Sequence, residues 1–467
     1  MSSSLETQAL AVQLPAFAGT TLPGEYADLL AAGLGGICYF GSNTADGPDA
    51  VAALSAAIRA ANPHAVIAVD EEGGDVTRLH ALVGSPVLGA AALGAVDDLD
   101  LTRDTGRAVG ASLTAVGINL DLGPVADVNT DPDNPVIGTR SFGTDPRAVA
   151  AHVAAWVAGL QEAGVAACAK HFPGHGDTAQ DSHLELPTIE VGLDTLRTRE
   201  LVPFAASIEA GIASVMTSHI VVPALDPDLP GTLSAPVLGL LRDELGYDGV
   251  IVSDALDMAG ASAGRGIPEA AVLSLAAGAD LLCIGPEKPA SLVRATQAAI
   301  VAAVRDGRLS EQRLRSAAAR VAQLRGYGTP GVPALAVSAQ LRSCGDRQLA
   351  GARRSLTVEG ELPDLRGAVV VSVATPANIA VGEVPWGLAP DATVAPGERL
   401  DTDRPVILQV RDAHRRPEIV TEGAATIIEW GWPGPYDGPV PRILTRGYSR
   451  PGAAAVTELL REAGWDR

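Results

Sequence analysis

Three of the eight histidines in this 467-residue chain lie in one short stretch, KHFPGHGDTAQDSH (170–183). The same stretch carries Asp177 and Asp181, so titratable side chains are unusually dense there. Its proline and glycines disfavour both helix and strand, which predicts a loop leaving the preceding apolar run. Such a density of ionisable groups is costly unless they are solvated or used in chemistry.

Three interpretations of this histidine-rich loop compete. The first is a hydrogen-bonded structural loop. The second is a zinc site built from His171, His175 and His183, although the spacing matches no compact zinc-binding motif. The third is acid/base catalysis, because Asp181 lies two residues before His183 and can orient its imidazole. Such a pair supplies a proton donor that works near neutral pH.

A second reactive group, Asp254, occurs in VIVSDALDM (250–258). It follows an apolar run that predicts a buried strand, so its carboxylate would emerge where that strand ends. Its alternative use is as the N-cap of a helix that follows. Two such groups facing each other across a cleft suggest glycoside cleavage, in which one protonates the leaving oxygen while the other attacks the anomeric carbon.

The elements that must position these groups alternate between short apolar runs and Ala- and Leu-rich helical stretches, which is typical of βα units. The eight candidate strands are residues 9–16, 35–41, 65–71, 118–124, 165–171, 213–220, 249–255 and 279–285. Eight such units predict an α/β fold with a (β/α)8 TIM-type barrel. Five of these strands end in a polar residue, and we expect all five to meet at one mouth: Asp70, Asp121, Lys170, His219 and Asp254.

A Gly/Pro-rich stretch, RGYGTPGVPAL (325–335), predicts a linker. The elements predicted beyond it are a helix at 337–356, strands at 368–374, 404–410, 425–431 and 442–448, and a helix at 453–464. We therefore expect a barrel over residues 1–325, a linker over 326–340 and a small α/β domain over 341–467. The small domain has no Gly-rich phosphate loop and no acid/His cluster, so it offers no separate active site.

Composition excludes several classes of partner. Hydrophobic residues make up 47% of the chain, so a large core is available, and a net charge of −21 argues against binding nucleic acid. The four cysteines are scattered, which favours free thiols in a reducing compartment. Neither a signal peptide nor an apolar run of membrane-spanning length is evident. We expect a cytoplasmic protein, monomeric or homodimeric, with no membrane partner.

Four stretches resemble glycoside hydrolase family 3, and more closely its bacterial β-N-acetylglucosaminidase branch. They are VDEEGGDVTRL (69–79), GPVADVNTDPDNPVIGTRSFG (123–143), AKHFPGHGDTAQDSH (169–183) and VSDALDM (252–258). The third is highly specific, and together they span most of residues 1–325 in the expected order. The part of the chain beyond them resembles a reduced version of the second domain of that family.

The resemblance implies a role for each matching position. Asp254 would be the nucleophile of a retaining reaction, and His183, paired with Asp181, would be the general acid/base. The residues implied to bind the hydroxyls and the N-acetyl group of the sugar are Asp70, Arg78, Arg140, Lys170 and His171. The alternative for Arg78 and Arg140 is a salt bridge at the barrel rim.

The implied activity is that of a retaining exo-β-N-acetylhexosaminidase, which releases N-acetylglucosamine from peptidoglycan- or chitin-derived oligosaccharides without a cofactor or a metal ion. A histidine acid repels an anion less than a carboxylate does, so inorganic phosphate remains an alternative to water as the acceptor of the sugar. A β-glucosidase of the same family is a further alternative. In relatives the first stretch usually reads DQEGGRV. Here Glu71 and Asp75 replace an amide and a basic residue, and we expect them to add negative charge near the mouth that alters the tolerated aglycone.

Overall fold

The computed structural model describes residues 4–178, 187–328, 334–375, 380–382, 384–399 and 402–467, and gives the backbone alone for 334–343. Asp181 and His183, the predicted acid/base pair, lie outside the described residues.

The first part of the chain forms a sheet of eight parallel strands. They are β1 (Gln13–Pro15), β2 (Gly36–Tyr39), β3 (Val66–Val69), β4 (Leu120–Asp121), β5 (Ala166–Phe172), β6 (Ser214–Thr217), β7 (Val250–Ser253) and β8 (Leu281–Gly285). Their order is β1-β8-β7-β6-β5-β4-β3-β2, and the two end strands also lie against each other. The sheet therefore curls into a nearly closed barrel, and the predicted (β/α)8 fold is confirmed.

The barrel interior is filled by small and medium apolar side chains, since aromatics make up only 3% of the chain. Alternate residues of every strand point inward and pack together, as the two-residue period of a strand requires. This cluster includes Leu14, Cys38, Val66, Ala68, Leu120, Ala166, Cys168, Met216, Val250, Val252 and Leu281. The opposite faces of the strands pack against the helices in a second, larger core.

Helices connect the strands and surround the barrel. The longer ones are Leu5–Ala11, Gly24–Ala31, Pro48–Ala61, Ala90–Val96, Leu99–Ala115, Pro146–Glu162, Leu201–Glu209, Ile267–Ala277, Ala290–Arg305 and Glu311–Val321. Shorter helical segments are Gly41–Thr44, Leu193–Thr195, Leu196–Glu200, Ala235–Gly239, Leu240–Glu244 and Ala259–Ser262. Across the described ranges, no helix is at once long enough and apolar enough to cross a membrane.

The second part of the chain forms a six-stranded sheet. Its strands are β9 (Thr357–Glu359), β10 (Val369–Val373), β11 (Ala392–Val394), β12 (Val406–Val410), β13 (Thr426–Glu429) and β14 (Arg442–Leu444). The order is β9-β14-β13-β12-β10-β11, parallel except for β9. The closing helix is Arg450–Glu462. A smaller α/β domain following the barrel is thus confirmed.

One long helix, Ala334–Ser355, joins the two parts. Its Gln348 is fully buried against the barrel, where its Oε1 accepts from the backbone N–H of Leu88 at 2.8 Å and its Nε2 donates to Thr105 Oγ1 at 2.7 Å. The helix begins inside the predicted linker (326–340) and continues beyond it. The division into 1–325, 326–340 and 341–467 stays a prediction.

Candidate active site

A cavity of about 330 Å³ opens at the carboxyl ends of the barrel strands. This volume lies in the range of small-molecule sites. The predicted binding residues and Asp254 all line it, and the further lining residues include Glu72, His175, Asp257 and Ala380. Six of the eight candidate site residues therefore lie in one cavity. The other two, Asp181 and His183, lie outside the described part of the chain.

Four charged side chains meet at one side of the cavity. Lys170, at the end of β5 and only 2% exposed, donates to Asp70 Oδ1 at 2.6 Å and to Glu72 Oε1 at 2.7 Å. Arg140 donates to the same Glu72 carboxylate through Nε (2.9 Å) and Nη2 (2.8 Å). We call Asp70, Glu72, Arg140 and Lys170 the charged cluster. Buried charges persist only when they are paired in this way.

The charged cluster fixes its own ionisation. Burial alone would raise the pKa of Glu72, but Arg140 and Lys170 outweigh it and hold that pKa well below its ordinary value. Burial alone would lower the pKa of Lys170, but Asp70 and Glu72 outweigh it and raise that pKa. Glu72, Arg140 and Lys170 therefore stay charged at neutral pH.

A further carboxylate, Asp127, holds two histidines at the cavity. It is fully buried, and its Oδ2 accepts from Nδ1 of His171 at 2.7 Å. Its Oδ1 accepts the backbone N–H groups of His171 (3.1 Å) and His175 (2.8 Å). Burial lowers the pKa of His175 to about 4, so His175 is neutral at pH 7. The bond to Asp127 leaves Nε2 of His171 as the nitrogen that can meet a ligand.

Asp254 lies directly after β7 and lines the cavity. Its backbone N–H donates to Thr217 Oγ1 at 3.2 Å, and its Oδ1 accepts the N–H of Ala255 at 2.7 Å. The next helix begins only at Ala259, so Asp254 is not its N-cap. The carboxylate is therefore positioned at the mouth, as the sequence predicted.

Two of the five polar strand-end residues do not reach the cavity, so the expectation that all five meet there is wrong for them. Asp121 is fully buried beneath the mouth, where its Oδ1 accepts the N–H of Glu71 at 3.0 Å. His219 is also buried and donates from Nε2 to the carbonyl of Ala255 at 2.9 Å. Both brace the loops that carry the cavity residues.

Neither Glu71 nor Asp75 lines the cavity, so a direct contact of these side chains with the aglycone is not found. Glu71 is 2% exposed and accepts from Thr77 Oγ1 at 2.5 Å and from two backbone N–H groups. Asp75 accepts from Thr139 Oγ1 at 2.7 Å and from the N–H of Tyr448 at 2.9 Å. Their oxygens are satisfied inside the fold, and Asp75 links the barrel rim to the second domain.

Arg78 lines the cavity but also reaches the second domain. Its Nη1 donates to the carbonyl of Val381 at 3.0 Å, and its Nη2 donates to the carbonyl of Ala380 at 2.7 Å. These bonds use two of the five N–H groups of a guanidinium. The salt bridge that was the alternative role for both arginines is found at Arg140, which pairs with Glu72.

The described start of the histidine-rich loop is tightly fixed. A Cβ on Gly176 would lie 1.8 Å from the carbonyl oxygen of Val128, so only glycine fits there. Asp177 accepts from Thr130 Oγ1 at 3.0 Å and from Arg199 Nη2 at 2.5 Å. Within the described residues no group of three His, Cys, Asp or Glu side chains could hold a metal ion.

Glu200 lies beside Gly174 of this loop and gives a pH-dependent prediction. It is fully buried, and burial raises its pKa to about 7. A raised folded-state pKa gives stability that is complete below about pH 4.3 and is lost as the pH rises through 7. Between pH 5.5 and 8.5, the free energy of unfolding of the wild type should fall by roughly 1–3 kcal/mol more than that of Glu200→Gln. Thermal unfolding at pH 5.5 and 8.5 measures it.

The matched control for this prediction is Glu209→Gln, an exposed carboxylate at the end of the following helix. The stability of Glu209→Gln should change between pH 5.5 and 8.5 by as much as that of the wild type. An unchanged pH dependence in Glu200→Gln would contradict the assignment.

Sequence reasoning missed two residues of the site. Glu72 and Asp127 both lie in stretches that resemble the family, yet neither was assigned a role. Glu72 lies two residues after the strand-end carboxylate Asp70, which was the available signal. Asp127 lies 44 residues before its partner His171, and that pairing has no local signature.

Comparisons with known proteins agree on the family. The family model described as "Glycosyl hydrolase family 3 N terminal domain" matches residues 12–324, about two thirds of the chain. A beta-hexosaminidase A from Pseudoalteromonas piscicida is 36% identical over 333 residues, which cover 66% of this chain and 56% of that protein. The chain thus matches little more than half the length of that relative.

Comparison with solved structures extends the similarity to nearly the whole chain. A glycoside hydrolase family 3 beta-N-acetylglucosaminidase from Paenibacillus sp. str. FPU-7 superposes with a TM-score of 0.86 at 30% identity, covering 99% of this chain and 97% of that one. NagZ from Neisseria gonorrhoeae, in complex with N-trifluoroacetyl-D-glucosamine, gives a TM-score of 0.60 at 32% identity and covers 73% of this chain and 97% of that one. The chain belongs to glycosyl hydrolase family 3.

Proposed function

We propose that this protein is a retaining exo-β-N-acetylhexosaminidase that releases N-acetylglucosamine from peptidoglycan- or chitin-derived oligosaccharides. The observation that carries the proposal is that the Asp254 carboxylate and the charged cluster share one cavity at the barrel mouth. The names of the similar proteins, beta-hexosaminidase and beta-N-acetylglucosaminidase, support the choice of sugar.

Asp254 is the proposed nucleophile. Its carboxylate oxygen attacks the anomeric carbon while the bond from that carbon to the aglycone oxygen breaks, which gives a glycosyl-aspartate intermediate. His183, oriented by Asp181, donates a proton to the departing oxygen and then accepts one from the water that releases the sugar. The roles of these last two residues rest on the sequence, because both lie outside the described residues.

The proposed first subsite is built from the predicted binding residues. The carboxylate of Asp70 accepts from sugar hydroxyls, and Lys170 and Arg140 donate to sugar oxygens with fixed positive charge. Nε2 is the nitrogen of His171 that can contact the sugar, since Nδ1 donates to the Asp127 carboxylate. The guanidinium of Arg78 has N–H groups beyond the two that the second domain takes.

We further propose that the protein acts in the cytoplasm, in the recycling of cell-wall fragments. All four cysteines are buried and free, which is typical of proteins from a reducing compartment. The reaction as written needs no cofactor and no metal ion.

Turnover of three 4-nitrophenyl glycosides tests the proposed function. In the presence of a chelator, we expect the β-N-acetylglucosaminide to be cleaved with a kcat/KM at least 100-fold above that of the β-glucoside and the β-xyloside. Proton NMR of the first product should give the β-anomer. A faster β-glucoside, or activity lost on chelation, would overturn the proposal. A parallel reaction with inorganic phosphate identifies the acceptor, because phosphate would yield the sugar 1-phosphate.

A further inference from the structure

The buried carboxylate of Asp127 faces three N–H groups. Its Oδ1 lies within hydrogen-bond distance of the backbone nitrogens of His171 and His175, and its Oδ2 lies 2.7 Å from Nδ1 of His171. Burial alone would raise the pKa of Asp127, but His171 and His175 outweigh it and hold that pKa below its ordinary value. Asp127 is therefore ionised at neutral pH, and an ionised carboxylate can only accept hydrogen bonds.

This carboxylate determines where His171 carries its proton. Since Asp127 cannot donate, the hydrogen bond at 2.7 Å requires a proton on Nδ1 of His171. In the neutral imidazole the other nitrogen, Nε2, then has a lone pair and no proton. His171 lines the cavity and Asp127 does not. Asp127 thus makes the neutral imidazole offer an acceptor, rather than a donor, to a ligand.

An acceptor at this place complements the rest of the cavity. The cationic side chains that line it can donate but cannot accept: Arg78, Arg140 and Lys170. Two of the carboxylates beside them are engaged, since Glu72 accepts from two of these cations and Asp257 pairs with Lys288. Every sugar hydroxyl has a proton to donate as well as lone pairs that accept. Nε2 of His171 can take one of these protons.

We propose that Asp127 is a positioning residue that fixes the tautomer of His171, so that Nε2 accepts a hydrogen bond from a hydroxyl of the bound sugar. Asp127 acts through His171 and has no contact with the sugar of its own. This inference rests on the proposed function and gives the direction of one hydrogen bond in its first subsite.

The substitution Asp127→Asn reverses that direction. The two backbone N–H groups can only donate, so the amide oxygen of the asparagine must stay with them. Its NH2 group then faces Nδ1 of His171 and donates to it. The neutral imidazole consequently carries its proton on Nε2, and the nitrogen that meets the sugar becomes a donor.

The test uses a 4-nitrophenyl β-N-acetylglucosaminide and three analogues in which fluorine replaces the hydroxyl at C3, C4 or C6. Fluorine has no proton to donate, so it lowers kcat/KM most where the hydroxyl is the donor. His171→Ala identifies the position that His171 contacts, because the fluorine penalty falls there. At that position and pH 7.5, we expect the penalty to be at least about tenfold larger in the wild type than in Asp127→Asn. The intrinsic effect of fluorine on reactivity is common to both enzymes and cancels in this ratio.

The matched control is Asp97→Asn. Asp97 belongs to a second Asp–His pair that does not line the cavity, with its Oδ1 3.5 Å from Nε2 of His152. This variant should keep every wild-type fluorine penalty. Equal penalties in the wild type and Asp127→Asn, or no position at which His171→Ala lowers the penalty, would overturn the inference.

A measurement on the wild type covers the case in which Asp127→Asn does not fold. Nitrogen-15 NMR should show the neutral imidazole of His171, assigned by its absence from His171→Ala, with its proton on Nδ1. A proton on Nε2 would overturn the inference. All of these outcomes leave the proposed function intact, whereas a wild type inactive on the parent glycoside would overturn the proposed function itself.

Discussion

Asp254→Asn is expected to lower kcat for a chromogenic β-N-acetylglucosaminide by a factor on the order of 10⁴. The amide has nearly the shape of the carboxylate but carries no charge and is a poor nucleophile, so the glycosyl-aspartate cannot form. Thermal unfolding should change little, because an asparagine Oδ1 can still accept the N–H of Ala255 as the carboxylate does. Steady-state kinetics measure the loss, and more than 1% residual activity would contradict the nucleophile assignment.

Asp257→Asn is the matched control. Asp257 lines the same cavity three residues further on, where its Oδ2 pairs with Lys288 Nζ at 2.8 Å. We expect it to retain activity within about tenfold. A further arm uses Asp254→Ala with azide, where an α-configured glycosyl azide is expected. A β-configured azide would mean that Asp254 does not attack the sugar.

Glu72→Gln is expected to have the largest effect on stability. The substitution leaves Arg140 without its carboxylate partner and leaves Lys170 paired with Asp70 alone. The position is buried, since the Glu72 side chain is only 6% exposed. Removing one partner of a buried ion pair costs about 3–5 kcal/mol. We expect a fall in Tm of at least about 5 °C and a rise in KM larger than any fall in kcat.

The pH dependence of this difference follows from the sign of the pKa shift. The pKa of Glu72 lies below its ordinary value in the folded protein. Its contribution is therefore complete above about pH 4.3 and is lost as the pH falls towards the folded-state pKa. The gap in Tm between wild type and Glu72→Gln should be constant from pH 5 to 8 and smaller near pH 3. Glu162→Gln, which breaks an exposed pair with Arg107, should change stability by less than about 1 kcal/mol.

The barrel could be predicted from the sequence because each strand is a short apolar run, and five of the eight runs end in a polar residue. The run at 249–255 became β7, Val250–Ser253. The run at 118–124 was shortened to Leu120–Asp121, since Gly123 and Pro124 follow and proline cannot donate to the ladder. Two strands of the second domain were missed, because Thr357–Glu359 and Ala392–Val394 are short and largely exposed.

The candidate site was predictable only in part. Strand-end residues such as Lys170 and Asp254 follow from the fold, because parallel strands bring their carboxyl ends together. The bond from Arg140 to Glu72 joins residues 68 positions apart, and its formation depends on how the barrel closes. Likewise, the attachment of Arg78 to Ala380 spans 302 positions and crosses between the two domains. Side-chain partners at such separations have no sequence signature.

The charged cluster has a consequence for how a neutral sugar is received. The formal charges of Asp70, Glu72, Arg140 and Lys170 add to zero, although the chain as a whole carries −21. A sugar that enters therefore finds strong donors and acceptors already neutralised by one another, and no counterion needs to be released or taken up. The groups were desolvated and oriented when the protein folded, so much of the reorganisation that polar recognition requires precedes the arrival of the ligand.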